Sequence, residues 1–428
     1  MSLEQTRAEL LARFDDITTP SDVIDLQRAL AAEIRSAEAD RNEDNDWHRH
    51  LLRLMGDAIA WKSLERHSIR ELARGRRRPP SLTSQGQDFD YVLDVATEVA
   101  DGNLIPIVAD LTHLISVGDI IAVGPSAISI LECKNRKPPA GPPRGRHRRQ
   151  EIRALQAADY LTDGIVTSSD GMKYLSVEVA EPQPEIAALQ QCIEAAQRSP
   201  VGAALLDLGE RDLILALWPG GLDPNEVLQE VSVDPANWAH PQLSFISNAV
   251  ENPGPFRFNP YATALPMPFR LALAEGELIV GRFVDLGFLE TRQSADGGPD
   301  IEIYRKEGNL HLRTNLLGHD LEFSDRFIEQ VMWNFTSVHA MGATLPRILS
   351  EFARLGPDPT DEAREEAASP TVTSLHGFIY SDVEENGGNV FVTRVGHLTS
   401  RGIDLSLEEF EASLGGGDGG LNHPEGST

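Results

Sequence analysis

The sequence predicts an α/β protein: a helical N-terminal region, an αβ core around a central mixed sheet, then a β-rich α+β C-terminal region. Three observations lead there. Apolar residues recur at helical spacing through residues 3–73, with a further such run before Gly102. From Leu104 they give way to short Ile/Val-rich runs separated by turn residues. After Pro182 the chain becomes strand-rich and is punctuated by Pro and Gly. A length of 428 residues exceeds what one ordinary core organises, so two or three domains are expected.

Residues 3–40 read as helix, with Leu10, Leu11 and Phe14 on one stripe and Val23, Leu26, Leu30 and Ile34 on the next. Pro20 and Ser21 mark a break and restart between them. After a polar turn at 41–46, a long amphipathic helix is expected from Trp47 to about Ala73, burying Leu51, Leu54, Met55, Ile59, Leu64, Ile69 and Leu72. Residues 74–87 read as loop, and 89–101 as another helix. Strands follow at 104–111, 118–123 and 127–133, then an irregular Pro/Gly stretch, a helix at 148–161, and strands at 164–168 and 173–179. A helix at 184–198 opens the C-terminal region. Its expected strands include DLILALW (212–218), FRLALA (269–274), ELIVGRFVDL (277–286), IEIYR (301–305), NLHLRT (309–314) and VFVTRV (390–395). A helical insert interrupts them at 325–355, and an acidic connector covers 357–371. The expected domains are therefore 1–80, helical; 81–182, the core, with helix 47–73 packed on it; 183–412, β-rich and acidic; and a disordered tail at 413–428.

Composition narrows the function. No apolar run approaches a membrane span, the polar and acidic N-terminus is no targeting signal, and a cytoplasmic protein without membrane contact is expected. Cys133 and Cys192 are the only cysteines, too few for a disulfide framework or a cysteine-rich zinc site. There is no Walker A loop, GxGxxG turn or GxSxG elbow. The net charge of −28 argues against nucleic acid, but its distribution does not. Residues 1–160 carry 22 Lys/Arg against 25 Asp/Glu, whereas 161–428 carry 16 against 41. Positive charge gathers at 74–78 and again between Lys134 and Arg153, where eight basic residues fall. Local field guides a polyanion to a site, so the N-terminal half is the expected DNA-binding part.

Chemistry concentrates in GDIIAVGPSAISILECKNRK, residues 118–137. Asp119 opens one expected strand, and Glu132 and Lys134 close the next. Strand alternation sets Glu132 and Lys134 on one face and Cys133 on the other. The turn at Gly124-Pro125 makes the strands neighbours, which can bring Asp119 beside Glu132. Two carboxylates, with the Cys133 carbonyl as a further ligand, are hard oxygen donors suited to Mg²⁺ or Mn²⁺. Lys134 would position a metal-activated water or stabilise charge building on a phosphate. The chain has five lysines, at 62, 134, 137, 173 and 306, so a Lys at this position in an Arg-rich background stands out.

This stretch resembles the PD-(D/E)XK nuclease superfamily, the restriction-endonuclease-like fold. Asp119 matches the first acid, with Gly118 in place of the usual Pro, and Glu132-Cys133-Lys134 matches the (D/E)XK triplet. Gln156 and Tyr160 match the QxxxY helix of RecB-like members. The resemblance covers about 40% of the chain. It implies a Mg²⁺- or Mn²⁺-dependent deoxyribonuclease in which Asp119, Glu132, Lys134, Gln156 and Tyr160 form the catalytic set. Arg136, Lys137, Arg144, Arg146, Arg148 and Arg149 would then hold phosphates. Members often add a further acid, for which Asp57, Glu98 and Asp110 stay open. A role in defence against foreign DNA would follow superfamily habit, and the acidic C-terminal region would bind a partner protein or drive homo-oligomerisation. The rival expectation is an inactive nuclease-like scaffold that binds nucleic acid or protein. Histidines 48 and 50 lack a completing ligand in the sequence, and the five Trp show no stacking pattern.

Overall fold

The computed structural model describes residues 2–40, 42–73, 79–125, 127–134, 157, 165–167, 173–175, 184–209, 211–218, 226, 235–290, 300–306, 309–316, 319–323, 325–355, 374–379 and 389–396. It is an α/β protein with N-terminal helices, a central sheet of antiparallel neighbours and a β-rich α+β region towards the C-terminus. Two compact units divide the chain. One comprises 13–52, 71–166 and 368–428; the other comprises 1–12, 53–70 and 167–367. The boundaries therefore fall elsewhere than a serial division of the sequence puts them.

The first unit holds the central sheet, while residues 1–12 and 53–70 of the N-terminal helices belong to the other unit. Helices α1 (Leu3–Asp15) and α2 (Pro20–Ala39) meet at the expected break. Thr19 caps α2 by accepting from Asp22 N–H while Asp22 accepts from Thr19 N–H, and Pro20 sits at the first turn, where no N–H is needed. The expected single helix from Trp47 is instead two, α3 (Glu43–Ser63) and α4 (Arg66–Leu72). The apolar stripe runs on through Leu64, Ile69 and Leu72, all buried, so periodicity reports the shared buried face and not the break. A short helix α5 (Leu82–Gln85) lies in the expected loop, and α6 (Gln87–Asp101) follows. Strands β1 (Ile105–Val108), β2 (Ile120–Val123) and β3 (Ala127–Lys134) pair antiparallel, and α6 packs on all three. Its buried Phe89, Val92, Val95, Ala96 and Val99 sit at helical spacing. Such residues contribute about 1.5–3 kcal/mol each when large and fully buried.

The far side of this sheet corrects the sequence reading. Strands β4 (Ile165–Thr167) and β5 (Lys173–Leu175) make a separate two-stranded sheet instead of completing the central one. The place beside β3 is taken by β14 (Asn389–Gly396), followed by β13 (Ser374–Ile379), giving the order β1-β2-β3-β14-β13. The β3–β14 register runs from Lys134 opposite Asn389 to Ala127 opposite Gly396. An alternating run such as VFVTRV can pair with any complementary edge, and sequence does not name a partner some 260 residues away. At the other edge the Gln27 side chain acts as a short surrogate strand. Its Nε2 donates to Pro106 O at 2.8 Å, and its Oε1 accepts from Val108 N–H at 2.8 Å.

The second unit contains a four-stranded sheet, β6 (Ala203–Asp207), β7 (Asp212–Leu217), β9 (Ile279–Asp285) and β8 (Pro241–Phe245) in that order. Helices α7 (Ile186–Arg198), α8 (Ile246–Glu251) and α9 (Met267–Glu275) contribute to its core through Leu189, Ile193, Ile246, Leu273 and others. Helix α9 contains FRLALA, expected as a strand. A six-residue apolar run fits either state, and here Pro266 before the helix and left-handed Gly276 after it decide for helix. The three-stranded sheet β10 (Ile301–Lys306), β11 (Asn309–Leu316) and β12 (His319–Phe323) shares a second core with α10 (Asp325–Trp333) and α11 (Val338–Leu355).

Candidate functional site

The expected hairpin forms at one end of the central sheet. Ile120 pairs with Leu131, and Val123 with Ile128. Just before β2 the chain turns at Gly118, whose φ of +74° belongs to the left-handed region. A Cβ there would lie 2.7 Å from Ile130 Cγ2 and 3.2 Å from Leu131 O, so both the dihedral and the packing require glycine. Where the superfamily pattern has proline, this backbone has no room for a side chain.

The turn delivers Asp119 to the triplet. Asp119 N–H donates to Leu131 O at 2.7 Å, and its own carbonyl accepts from Ala109 N–H at 2.9 Å. Its carboxylate Oδ2 accepts from Cys133 N–H at 2.7 Å. Asp119 is partly exposed, whereas Glu132 is 5% exposed and Cys133 is buried as a free thiol. Lys134 closes β3 opposite Asn389. Asp119 is thus bonded to the backbone of the segment Glu132-Cys133-Lys134. A charge-assisted N–H···O⁻ bond of this length fixes the carboxylate's direction.

The three open acids separate. Glu98 lies exposed on α6. Asp57 is fully buried on α3 in the other unit. Asp110 sits in the 3₁₀ turn Ala109–Leu111 that follows β1, where Gln85 Nε2 donates to its Oδ2 at 2.9 Å. Neither Gln85 nor this bond has a signal in sequence, since the partners are 25 residues apart and Gln85 falls in a segment expected as loop. Among the described residues, no three His, Cys, Asp or Glu side chains group as a metal site. Gln156, Tyr160, Arg136, Lys137, Arg144, Arg146, Arg148 and Arg149 lie outside the described residues, as does the 74–78 basic cluster.

Other titratable groups are explained by folding. Burial would raise the Glu38 carboxyl, but hydrogen bonds from Thr83 N–H and hydroxyl, Ser81 hydroxyl and Leu82 N–H outweigh it and hold it below the ordinary value. Burial pushes the Cys192 thiol up to about 12, which marks it as a core residue and no nucleophile. No described helix is long and apolar enough to cross a membrane. Comparison of the chain with protein-family models, with curated proteins and with solved structures returns no match.

Proposed function

We propose that this protein is a metal-dependent nuclease that hydrolyses phosphodiester bonds of DNA, with Asp119, Glu132 and Lys134 at its centre. The observation that carries the reading is the bond from Cys133 N–H to the Asp119 carboxylate, which ties the first acid to the acid-x-lysine triplet. Asp119, Glu132 and the Cys133 carbonyl would hold Mg²⁺ or Mn²⁺. When bound, such an ion polarises the scissile phosphate and lowers the pKa of a coordinated water. The protein's own groups do the rest. Asp119 keeps its direction through the peptide N–H. Glu132 acts from a buried position, where an electrostatic interaction counts for more than in water. Lys134, as a compact ammonium, orients the attacking water and offsets negative charge growing on the phosphoryl oxygens. The water oxygen bonds to phosphorus as the opposite P–O bond breaks, and the leaving oxygen takes up a proton.

Gln156 and Tyr160 would orient substrate, and the arginines of 136–149 would supply sequence-independent phosphate affinity. Defence against foreign DNA is a role this activity would suit, with the acidic C-terminal region engaging a partner protein or a second copy. The test is cleavage of supercoiled, linear and single-stranded DNA with Mg²⁺ or Mn²⁺, wild type against Lys134→Ala. Metal-dependent cutting that vanishes in a folded Lys134→Ala supports the reading. Inactivity of both proteins, with no metal-induced rise in melting temperature, overturns it in favour of an inactive scaffold.

A further inference from the structure

Trp47 and His50 stand three residues apart at the start of α3 and so share a helix face. The Trp47 indole is 38% exposed and stacks on the His50 ring, with centroids 5.0 Å apart and planes 14° from parallel. His50 in turn meets His113 at 4.5 Å and 41°, and His113 Nε2 lies 3.1 Å from His50 O. His113 belongs to the segment that leads from β1 into Asp119. That segment is pinned by Thr112, whose hydroxyl donates to Ala109 O and accepts from Ile115 N–H, and by Ser116 N–H, which donates to Leu72 O. Three rings therefore run in a row from an exposed indole to a loop residue six positions before the first acid.

We propose that this row is a stacking subsite for an unpaired nucleobase of single-stranded DNA. The proposal rests on the nuclease reading for the identity of its ligand. An exposed indole backed by further rings offers a rigid π-face, and every base has one to match, so stacking there tolerates any sequence. In a duplex both faces of a base are already covered, so the subsite discriminates for single strands or frayed ends. Charge supports a base over a phosphate. The first turn of α3 carries Glu43, Asp44 and Asp46, and Arg49 is engaged by Asp46. The first turn of the helix is acidic, so the contribution expected of this subsite is stacking and not ion pairing.

The test is fluorescence anisotropy of a labelled single-stranded oligonucleotide and the matching duplex, in EDTA so that nothing is cut. The full chain is compared with Trp47→Ala and Trp47→Phe, each checked for an unchanged melting temperature. Trp47→Ala should weaken single-strand binding about tenfold, spare duplex binding, and leave the slope of log affinity on log salt as in the wild type. Trp47→Phe should bind like the wild type. Single-strand affinity unchanged by Trp47→Ala, equal losses on both DNAs, or a wild type that ignores single strands each overturns the subsite. Single-strand binding through Trp47 by a protein that cuts no DNA removes the nuclease reading alone. Cutting that is indifferent to Trp47, with equal single-strand affinity, removes the subsite alone.

Discussion

Each unit of this protein fixes an aspartate at a sheet, and the two are held in different ways. In the second unit Asp212, at the start of β7, is 1% exposed and takes both arms of the Arg282 guanidinium from neighbouring β9. Its Oδ2 also accepts from Val338 N–H, the first residue of α11, at 2.9 Å. Arg282 spends further donors on Val331 O and Thr336 O, so one ion pair ties two strands to the start of a helix. In the first unit Asp119 takes the N–H of Cys133, with buried Glu132 in the adjoining strand. The Arg282 guanidinium balances the Asp212 charge in the core, and the peptide N–H of Cys133 fixes the direction of the Asp119 carboxylate. In the nuclease reading proposed above the first is a strut and the second a positioned ligand, and the comparison can be broken by asking which substitution costs stability and which costs activity.

Glu132→Gln should show the largest effect. It keeps the shape and removes the charge, so cleavage should fall about a thousandfold or more, roughly 4 kcal/mol of lost transition-state stabilisation. Melting temperature should hold, because the amide keeps the shape and volume of the buried side chain. A lower melting temperature with full activity would make Glu132 a structural acid like Asp212. Asp212→Asn should do the reverse. It strands the Arg282 charge in the core at a cost of about 3–5 kcal/mol in denaturant unfolding, while the folded fraction keeps its activity. Loss of activity at unchanged stability would erase the distinction.

Gly118→Ala sharpens the comparison, because it acts on the turn that aims Asp119 and on no charge at all. The left-handed φ and the 2.7 Å approach to Ile130 Cγ2 together should cost about 2–3 kcal/mol. Cleavage should drop as well, as Asp119 is carried off the Cys133 N–H. A stable, active Gly118→Ala would show that this bond does not set the site.

The parts of the site legible in sequence were those written by local rules. Strand alternation and a Gly-Pro turn joined Asp119 to the triplet, and the Thr19–Pro20 signal set the start of α2. What stayed hidden was decided by distant partners. Nothing in VFVTRV names β3 as its neighbour, and the turn chemistry around 266–276 outweighed the strand-like look of FRLALA. The stacking of Trp47 on His50 was not read from the sequence, and the row depends on His113, 63 residues away from His50, which only the folded loop brings into the stack. The Gln85–Asp110 bond was hidden for the same reason.

The smallest expected effect concerns carboxylates that serve each unit as loop clamps, and it is read by acid. Glu38 in the first unit gathers the four donors of Ser81, Leu82 and Thr83. Asp285 in the second takes N–H groups of His240, Gly287 and Ala239 and the Arg211 guanidinium. In both, burial alone would raise the carboxyl pKa, and the hydrogen bonds reverse this and lower it. A folded-state pKa below the unfolded value means the unfolded chain binds protons first as pH falls. The clamp's contribution is therefore full above the ordinary values, 4.5 for Glu38 and 3.8 for Asp285, and is lost as pH drops through them towards the lowered folded values. Urea unfolding from neutrality into this range should show wild type losing stability faster than Glu38→Gln, with the Glu38 contribution beginning to fade at the higher pH of the two. Parallel curves for wild type and Glu38→Gln would mean that the donors around Glu38 serve its neutral form equally well, and the clamp would then be a matter of packing and not of charge.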